Sequence, residues 1–324
     1  MNPLLRLALV GCLAILSIAT QRAIAQSAAD YPSKTVTIIS PGTPSGGMDF
    51  VLRPYAVELE KRWKQNVIVD NRLGAVGMVA TQAVARAPAD GYTLLINADV
   101  TMGYSVLTTT GFDAEKQLTP IGILATAQQI CIAASEAKGR TWPSLLAYAK
   151  ANPKKLNFGT YLNTPSHLHL LRLMRAAGFE ATLIPYNGQQ AALKAVLANE
   201  IDATCTTTNG VAELAKSGRA YPFATMGRER INGFPEAPSF REMRIDFDWE
   251  QWFGLFAPVG TPPAIINKIR ADLGELMKQP EMIAKIRSGG YEPEARSLAE
   301  TSAVMWRGAA LLRDTAQTVG FKPQ

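Results

Sequence analysis

Short apolar runs that suit buried strands alternate with amphipathic helical segments along most of this chain of 324 residues. Residues 36–40 have the composition of a buried strand, and apolar side chains then recur every three or four positions over 49–63. The same unit returns at 67–70 with 79–87. This alternation predicts an α/β fold built on largely parallel sheets.

A second series of the same kind occupies the middle of the chain. The predicted elements after the first two units are, in order, strand 93–97, helix 144–151, strand 156–159, helix 165–177 capped by Gly178, strand 182–185, helix 189–198, strand 203–206, strand 252–258, and helices 264–277, 281–288 and 298–318. Two extended segments would connect the two series. We therefore predict two lobes with a two-segment hinge, the first lobe at 26–126 plus 252–324 and the second at 127–251.

The first 25 residues have the features of a secretory leader. Arg6 lies in a short basic region, residues 7–19 are apolar, and Ala23-Ile24-Ala25 has the small residues that precede signal-peptidase cleavage. We expect export to the periplasm, with residues 1–25 removed as a signal peptide and the mature chain starting at Gln26. The alternative is lipoprotein processing at Cys12.

Composition indicates a globular protein, because 47% of the residues are hydrophobic and 19% are charged. A core of this size needs neither disulfides nor metals as supports. Cys131 and Cys205 remain after removal of the leader, and an oxidising compartment permits a bridge between them. Since a bridge needs a geometry that sequence does not supply, we expect two buried free thiols, with a disulfide as the alternative.

The charge pattern argues against a nucleic-acid partner. Removal of Arg6 and Arg22 with the leader leaves a net charge of +4, and the basic residues are interspersed with acidic ones. Nucleic-acid binding proteins gather their basic residues into patches or stripes. A weak positive field of this kind instead favours small anionic ligands.

Enzyme signatures are missing from the sequence. It contains no Gly-x-Ser-x-Gly elbow, no phosphate-binding loop that ends in Gly-Lys-Ser/Thr, and no Gly-x-Gly-x-x-Gly. His167 and His169 are two positions apart, so on a helix they cannot chelate one metal ion together. We predict no catalytic residue, metal or cofactor, with a secreted hydrolase that uses scattered carboxylates as the minor alternative.

Polar loops that contain glycine or hydroxyl groups follow several predicted strands. One runs over 41–49 and another over 160–166, with Thr164 as helix cap and Pro165 as the first helical residue. Residues 97–101 and 186–189 are further loops at strand ends. Unpaired amides at helix starts attract carboxylates, so facing loops of this kind would suit a dicarboxylate. The alternative for 41–49 is an ordinary turn capped by Ser45 or Asp49.

The order of short motifs along the chain resembles the substrate-binding proteins of tripartite tricarboxylate transporters, the Bug family. The motifs are Tyr31-Pro32-Ser33-Lys34, Gly46-Gly47-Met48-Asp49, Asp70-Asn71-Arg72, Gly74-Ala75-Val76-Gly77, Ala89-Asp90-Gly91-Tyr92, Ala151-Asn152-Pro153, Pro185-Tyr186-Asn187-Gly188 and Trp252-Phe253-Gly254-Leu255. The resemblance implies a two-lobed periplasmic binding protein of type II that closes on a small carboxylate. It also implies delivery of this ligand to membrane transporter subunits. We expect the protein to be a monomer.

By position, the resemblance implies ligand contacts from loops of both lobes. The candidate ligand-binding residues are Thr43, Ser45, Gly46, Gly47, Met48, Asp49, Asn97, Asp99, Thr101, Tyr161, Asn163, Thr164, Ser166, His167, Asn187, Thr206, Thr207 and Thr208. Family members usually hold one ligand carboxylate through loop amides, hydroxyls and ordered waters.

Three departures from the family pattern bear on the ligand. Met48 stands where threonine is common, Met78 where asparagine is common, and Thr206-Thr207 where the family often has Asp-Asn. Loss of that aspartate removes a partner for a ligand ammonium group. We therefore expect a di- or tricarboxylate without an amino group, an aromatic dicarboxylate included, unless both methionines only fill core gaps. A sensor for a membrane signalling partner is the alternative to a transport protein, because both would use the same cleft.

Overall fold

The β-strands of this chain belong to two separate sheets. A computed structural model describes residues 30–107, 112–135, 137, 139–162, 164–208 and 211–321. The strands in these ranges are β1 (Val36–Ser40), β2 (Val67–Asn71), β3 (Thr93–Ala98), β4 (Leu118–Ala127), β5 (Gln129–Ala133), β6 (Asn157–Thr160), β7 (Thr182–Pro185), β8 (Ala203–Thr207), β9 (Tyr221–Thr225), β10 (Gln251–Pro258) and β11 (Tyr291–Glu292). The predicted leader at 1–25, with Cys12, lies outside the described residues.

Helices cover both sheets. They are α1 (Gly47–Trp63), α2 (Met78–Ala85), α3 (Asp99–Leu107), α4 (Ala114–Gln117), α5 (Trp142–Ala151), α6 (Pro165–Ala177), α7 (Gln189–Leu197), α8 (Val211–Lys216), α9 (Pro263–Leu276), α10 (Pro280–Ser288) and α11 (Leu298–Thr318). None of the helices in the described ranges combines the length and the apolar composition that a membrane span requires.

The first sheet, with its helices, forms what we call the first lobe. Within the described ranges its strand order is β11-β4-β10-β3-β1-β2, and β1 is parallel to both β2 and β3, whereas β10 is antiparallel to β3 and β4. One face packs against α1, α9 and α10 through side chains such as Leu52 and Ile269. The other face packs against α2, α3 and α11 through Leu95, Phe256 and Met305.

The second sheet and its helices form the second lobe. Within the described ranges its order is β7-β6-β8-β5-β9, with β6 parallel to β7 and β8, and β5 antiparallel to β8 and β9. Trp142 of α5 and Leu173 of α6 are buried on one face, while Leu193 of α7 and Val211 of α8 are buried on the other. The predicted α/β fold with two sheets flanked by helices is confirmed.

Local signals predicted many of the elements well. The predictions at 36–40, 165–177, 182–185 and 298–318 match the structure to the residue, and Thr164 caps α6 as expected, accepting a hydrogen bond from the His167 amide at 3.3 Å. The helix α3 was not predicted, because it follows β3 directly with no turn residue between them. Residues 97–101, predicted as a loop, are therefore the end of a strand and the first turn of a helix.

The chain passes between the two sheets at two places. β4 ends at Ala127 in the first sheet and β5 begins at Gln129 in the second. The return follows β9 and ends at Gln251, where β10 begins in the first sheet. The predicted lobe limits, 126/127 and 251/252, stay a prediction.

Helices of the two lobes also pack against each other. Leu168 of α6 is fully buried against Leu312 and Ala316 of α11. A Cβ atom on Gly103 of α3 would lie 2.6 Å from Leu312 and 2.9 Å from Pro165, so these helices approach as closely as a glycine allows. The α6 helix of the second lobe thus packs against α3 and α11 of the first lobe.

The two cysteines are bonded to each other. β5 and β8 are antiparallel neighbours whose register places Cys131 directly opposite Cys205, and the two side chains form a disulfide. The expectation of two free thiols is therefore wrong. A separation of 74 residues hid this pairing, because only the pairing of the strands brings the two positions together.

Asp272 anchors α9 to the end of α1, and we expect its replacement by asparagine to weaken the fold. Its buried carboxylate accepts hydrogen bonds from Arg62 Nε at 2.7 Å, Trp63 Nε1 at 2.7 Å and Lys268 Nζ at 2.5 Å. Burial raises the pKa of Asp272, but these bonds outweigh it and hold the pKa below its ordinary value. Asp272→Asn removes the charge that three donors share, at a cost of about 2 kcal/mol in the free energy of unfolding.

Urea unfolding at several pH values measures this contribution. Because the folded-state pKa is depressed, the Asp272 contribution is complete above the unfolded-state pKa and is lost as the pH falls through the folded-state value. The difference between wild type and Asp272→Asn should accordingly shrink in acid. A difference that stays constant down to strongly acidic pH would show that the charge of Asp272 does not stabilise the fold.

Candidate functional site

The loop between β1 and α1 is held in shape by Asp49. The Asp49 carboxylate accepts hydrogen bonds from the Ser45 amide at 2.9 Å, from Arg53 Nε at 2.6 Å and from Asn71 Nδ2 at 3.2 Å. Burial raises the pKa of Asp49, yet these hydrogen bonds outweigh it and keep the pKa below its ordinary value. Asp49 therefore organises the loop through bonds within the protein.

The other predicted residues of this loop lie at its surface or half-buried. Thr43 and Ser45 are exposed, while Gly46, Gly47 and Met48 are half-buried. A Cβ atom on Gly47 would lie 2.6 Å from the Tyr291 hydroxyl oxygen, so glycine is needed there for packing against β11. The exposed hydroxyls of Thr43 and Ser45 are the groups of this loop that are open to a ligand.

The predicted ligand-binding residues at the end of β3 and the start of α3, which are Asn97, Asp99 and Thr101, are more buried than the hydroxyls of Thr43 and Ser45. Asn97 is fully buried, and its side chain donates to Thr81 Oγ1 at 3.1 Å and accepts from the Ala98 amide at 2.9 Å. Thr101 is half-buried, with its methyl group close to Gly77. Asp99 is buried and accepts a hydrogen bond from Trp249 Nε1 at 2.6 Å.

Two helix N-termini meet at a narrow pocket in the second lobe, which we call the second-lobe pocket. It lies where β6 and β7 end, and its walls include Thr160 and Tyr161, Ser166 of α6, and Gly188 and Gln189 of α7. Its volume of about 30 Å³ corresponds to a single water or a single carboxylate group. Gly188 is the N-cap residue of α7, so no side chain caps the start of that helix.

The charge character of this pocket favours an anion. Among the described residues that line it, none has a charged side chain. The positive ends of two helix dipoles and the hydroxyl of Ser166 supply the polar groups, which is the arrangement that binds carboxylates at helix starts. The pocket can hold a carboxylate but lacks a counter-charge for an ammonium group.

The remaining predicted residues of the second lobe surround this pocket or support it. The Thr164 hydroxyl donates to the Tyr161 carbonyl at 2.6 Å while it caps α6, and the Tyr161 side chain is half exposed. Asn187 is exposed, and Thr207 and Thr208 are half-buried. Thr206 is fully buried, and its hydroxyl has no hydrogen-bond partner among the described residues. His167 is half-buried, and burial lowers its pKa. Asn163 lies outside the described residues.

Sequence reasoning missed a chain of glutamines at the two crossings. Gln189 Nε2 donates to Gln129 Oε1 at 3.0 Å, and Gln129 Nε2 donates to Gln251 Oε1 at 2.6 Å. The chain joins the start of α7 in the second lobe to β10 in the first. Nothing in the sequence marks it, because the three residues are far apart along the chain.

Trp249 was missed as well, and it touches both lobes. Its indole nitrogen donates to Asp99 of the first lobe, while its ring stacks on His169 of the second at 4.4 Å between centroids. It also lines the second-lobe pocket. Burial raises the pKa of Asp99 to about 7, although the hydrogen bond from Trp249 and the nearby backbone amides of Val100 and Trp252 act in the opposite direction.

The described residues contain no group of three or more His, Cys, Asp or Glu side chains that could hold a metal ion. The donors gathered at the site are instead amides, hydroxyls and carboxamides. Such groups bind and orient a ligand.

Most of this chain is similar to several known proteins. The family described as "Tripartite tricarboxylate transporter family receptor" matches residues 51–306. Protein BugT of Bordetella pertussis is 28% identical over 90% of both chains. A TctC solute binding protein from Polaromonas is 25% identical with a TM-score of 0.81, covering 89% of this chain and 99% of that one.

A ligand-bound structure is also similar. R. palustris Rpa4515, solved with adipate, is 25% identical with a TM-score of 0.72 and covers 91% of this chain and 100% of that chain. The family match spans most of the chain. The chain therefore belongs to the tripartite tricarboxylate transporter receptor family, whose members are solute receptors and not enzymes.

Proposed function

We propose that this protein is a periplasmic receptor that captures a small organic dicarboxylate between its two lobes. It would then deliver this ligand to the membrane subunits of a tripartite tricarboxylate transporter. The single observation that carries the proposal is the meeting of the α6 and α7 N-termini at the second-lobe pocket. Receptors of this family and the adipate held by Rpa4515 support the same class of ligand.

One carboxylate of the ligand would lie in the second-lobe pocket. The Ser166 hydroxyl and the amides at the start of α7 would donate hydrogen bonds to it. Each helix end contributes about 0.3–2 kcal/mol, depending on burial. Two helix ends together therefore bind more firmly than either alone, and the water-sized pocket excludes bulkier groups.

The other carboxylate would face the loop between β1 and α1. The exposed hydroxyls of Thr43 and Ser45 are available there, whereas the Asp49 carboxylate is already occupied by hydrogen bonds within the protein. Met48 and Tyr161 would contact the apolar body between the two carboxylates. This arrangement lacks a partner for a ligand ammonium, which favours dicarboxylates without an amino group.

Capture would proceed by rotation of the lobes about the two crossings. The predicted lobes are 26–126 plus 252–324 and 127–251. With these limits, both crossings lie close to the hydrogen-bonded glutamines Gln189, Gln129 and Gln251. A ligand that contacts both lobes binds the closed form more tightly and so shifts the population towards it. We further propose that the mature protein is a monomer exported by a cleaved signal peptide at 1–25.

A thermal-shift screen of the mature protein tests this function. Dicarboxylates such as adipate and succinate should raise the melting temperature, because a ligand at a hundred times its Kd adds about 2.7 kcal/mol of apparent stability. Aspartate and monocarboxylates should give little or no shift. Sodium chloride at matched ionic strength is the control, and a screen in which no carboxylate stabilises the protein would refute the proposal.

A further inference from the structure

A second cavity lies where the two lobes meet, and we call it the junction cavity. Its polar and aromatic walls come from Asp99 of α3, His169 and Arg172 of α6, Arg307 of α11, Arg228 and residues 248–250 before β10. Apolar side chains such as Met102, Met305 and Leu312 form much of the remaining wall. Its volume of about 60 Å³ is that of two waters or one small tetrahedral ion. Of the residues that line the second-lobe pocket, Trp249 is shared with this cavity.

The junction cavity is lined by three arginines, Arg172, Arg228 and Arg307, and by the carboxylates of Asp99, Asp248 and Glu250. Glu250 is paired with Arg296, which leaves Asp99 and Asp248 facing the three arginines. The Asp248 carboxylate faces Arg228 at 3.2 Å, Arg307 at 3.6 Å and Arg241 at 3.9 Å. Good charge-assisted hydrogen bonds are about 2.7–2.9 Å long, so one carboxylate is spread loosely over three guanidinium groups. The guanidinium of Arg172 donates to the Asp248 carbonyl oxygen and lies over the Phe247 ring.

Two buried polar atoms at the same cavity have no hydrogen-bond partner among the described residues. They are Asp99 Oδ1 and His169 Nδ1, on side chains that are 7% and 2% exposed. Leaving a buried polar atom unpaired costs about 1–3 kcal/mol, so such atoms usually mark a bound water or ligand. A ligand in this cavity would have to donate a hydrogen bond to Asp99 Oδ1 and accept hydrogen bonds from the arginines.

We propose that the junction cavity binds a small oxyanion that carries a proton, with hydrogen phosphate as the representative. Its unprotonated oxygens accept hydrogen bonds from Arg172, Arg228 and Arg307. Its hydroxyl donates to Asp99 Oδ1, which satisfies the unpaired atom. An unprotonated oxyanion of the same size, such as sulfate, would place a lone pair against Asp99 and is disfavoured.

The anion would contact both lobes at once. Asp99 and Arg307 belong to the first lobe and Arg172 to the second, so an occupied cavity ties α6 to α3 and α11. This site is separate from the carboxylate pocket and does not depend on the proposed transport function.

Calorimetric titration with phosphate and with sulfate, at constant ionic strength and about pH 8, tests the proposal. At this pH Asp99 is mainly ionised, and hydrogen phosphate keeps one proton. The other titratable groups at the cavity are His169, Arg172, Arg228, Arg307, Asp248 and Glu250, the last already paired with Arg296. We expect wild type to bind phosphate at least tenfold more tightly than sulfate.

Substitutions separate the two recognition elements. Asp99→Asn offers sulfate an amide donor, so the preference for phosphate should fall to threefold or less. Combined Arg228→Gln and Arg307→Gln should weaken phosphate at least tenfold, and both side chains are half exposed, which protects the fold. Arg313→Gln, an exposed position on α11, is the matched control and should bind phosphate as wild type does.

Three outcomes would overturn the proposal. The first is no phosphate binding by wild type in the millimolar range, and the second is equal affinity for phosphate and sulfate. The third is phosphate binding that survives loss of Arg228 and Arg307 but disappears in Ser166→Asp, since this would place the ion in the second-lobe pocket.

Discussion

Replacement of Ser166 by aspartate should lower the affinity for the carboxylate ligand at least about a hundredfold while the protein stays folded. Ser166 is the second residue of α6 and lines the second-lobe pocket. An aspartate there places a negative charge where the ligand carboxylate would lie, and like charges in close contact cost several kcal/mol. The same aspartate is favourable to the helix itself, because it lies near the positive end of the dipole.

Two measurements make this prediction specific. Calorimetry with a dicarboxylate found in the thermal screen measures the affinity, and a melting curve without ligand checks the fold. Ser144→Asp is the matched control, because Ser144 is exposed in the first turn of α5 and does not line the second-lobe pocket. Unchanged affinity in Ser166→Asp would show that the ligand carboxylate does not bind in the second-lobe pocket. Thr206, Thr207 and Thr208 would then be the next candidate contacts in the second lobe.

Removal of the disulfide should cost the protein about 4 kcal/mol in the free energy of unfolding. The bond between Cys131 and Cys205 closes a loop of 74 residues, and chain-entropy arguments assign about 3–5 kcal/mol to loops of this length. Both strands belong to the sheet that carries the second-lobe pocket, and Cys205 lines it. Cys131→Ala with Cys205→Ala should therefore lower the urea midpoint markedly.

A reducing agent provides the matching control for this prediction. Wild type in dithiothreitol should unfold near the midpoint of the double variant, whereas the double variant should not respond to dithiothreitol. If oxidised wild type and the double variant unfold at the same urea concentration, the bond does not stabilise this lobe.

Local rules of chain geometry account for the elements that the sequence predicted well. The limits of α6 follow from the Thr164 cap, Pro165 at the first helical position and Gly178, whose left-handed backbone ends the helix. Each of these signals lies within a few residues of the structure it determines. The prediction of strand β1 at 36–40 rests in the same way on a short local run, in which Val36, Ile38 and Ile39 are apolar and Thr37 is β-branched.

The candidate site was predictable only in outline. Loop positions at the ends of β1 and β6 follow from the order of strands and helices. The sequence did not predict that the Asp49 carboxylate accepts hydrogen bonds from Arg53 and Asn71. It also did not predict that the Asn97 side chain donates to Thr81 within the protein. The direction in which a polar side chain points depends on neighbours that are distant in sequence.

Periodicity and capping are local, so the amino-acid order was enough to predict α/β lobes with helix N-termini at the ends of their strands. Which of these N-termini lie together depends on how the strands and lobes pack. The α6 and α7 N-termini share a pocket, Cys131 lies opposite Cys205, and Trp249 joins Asp99 to His169. These contacts bring together residues 20 to 150 positions apart, and strand register and lobe packing set them, which no local pattern encodes.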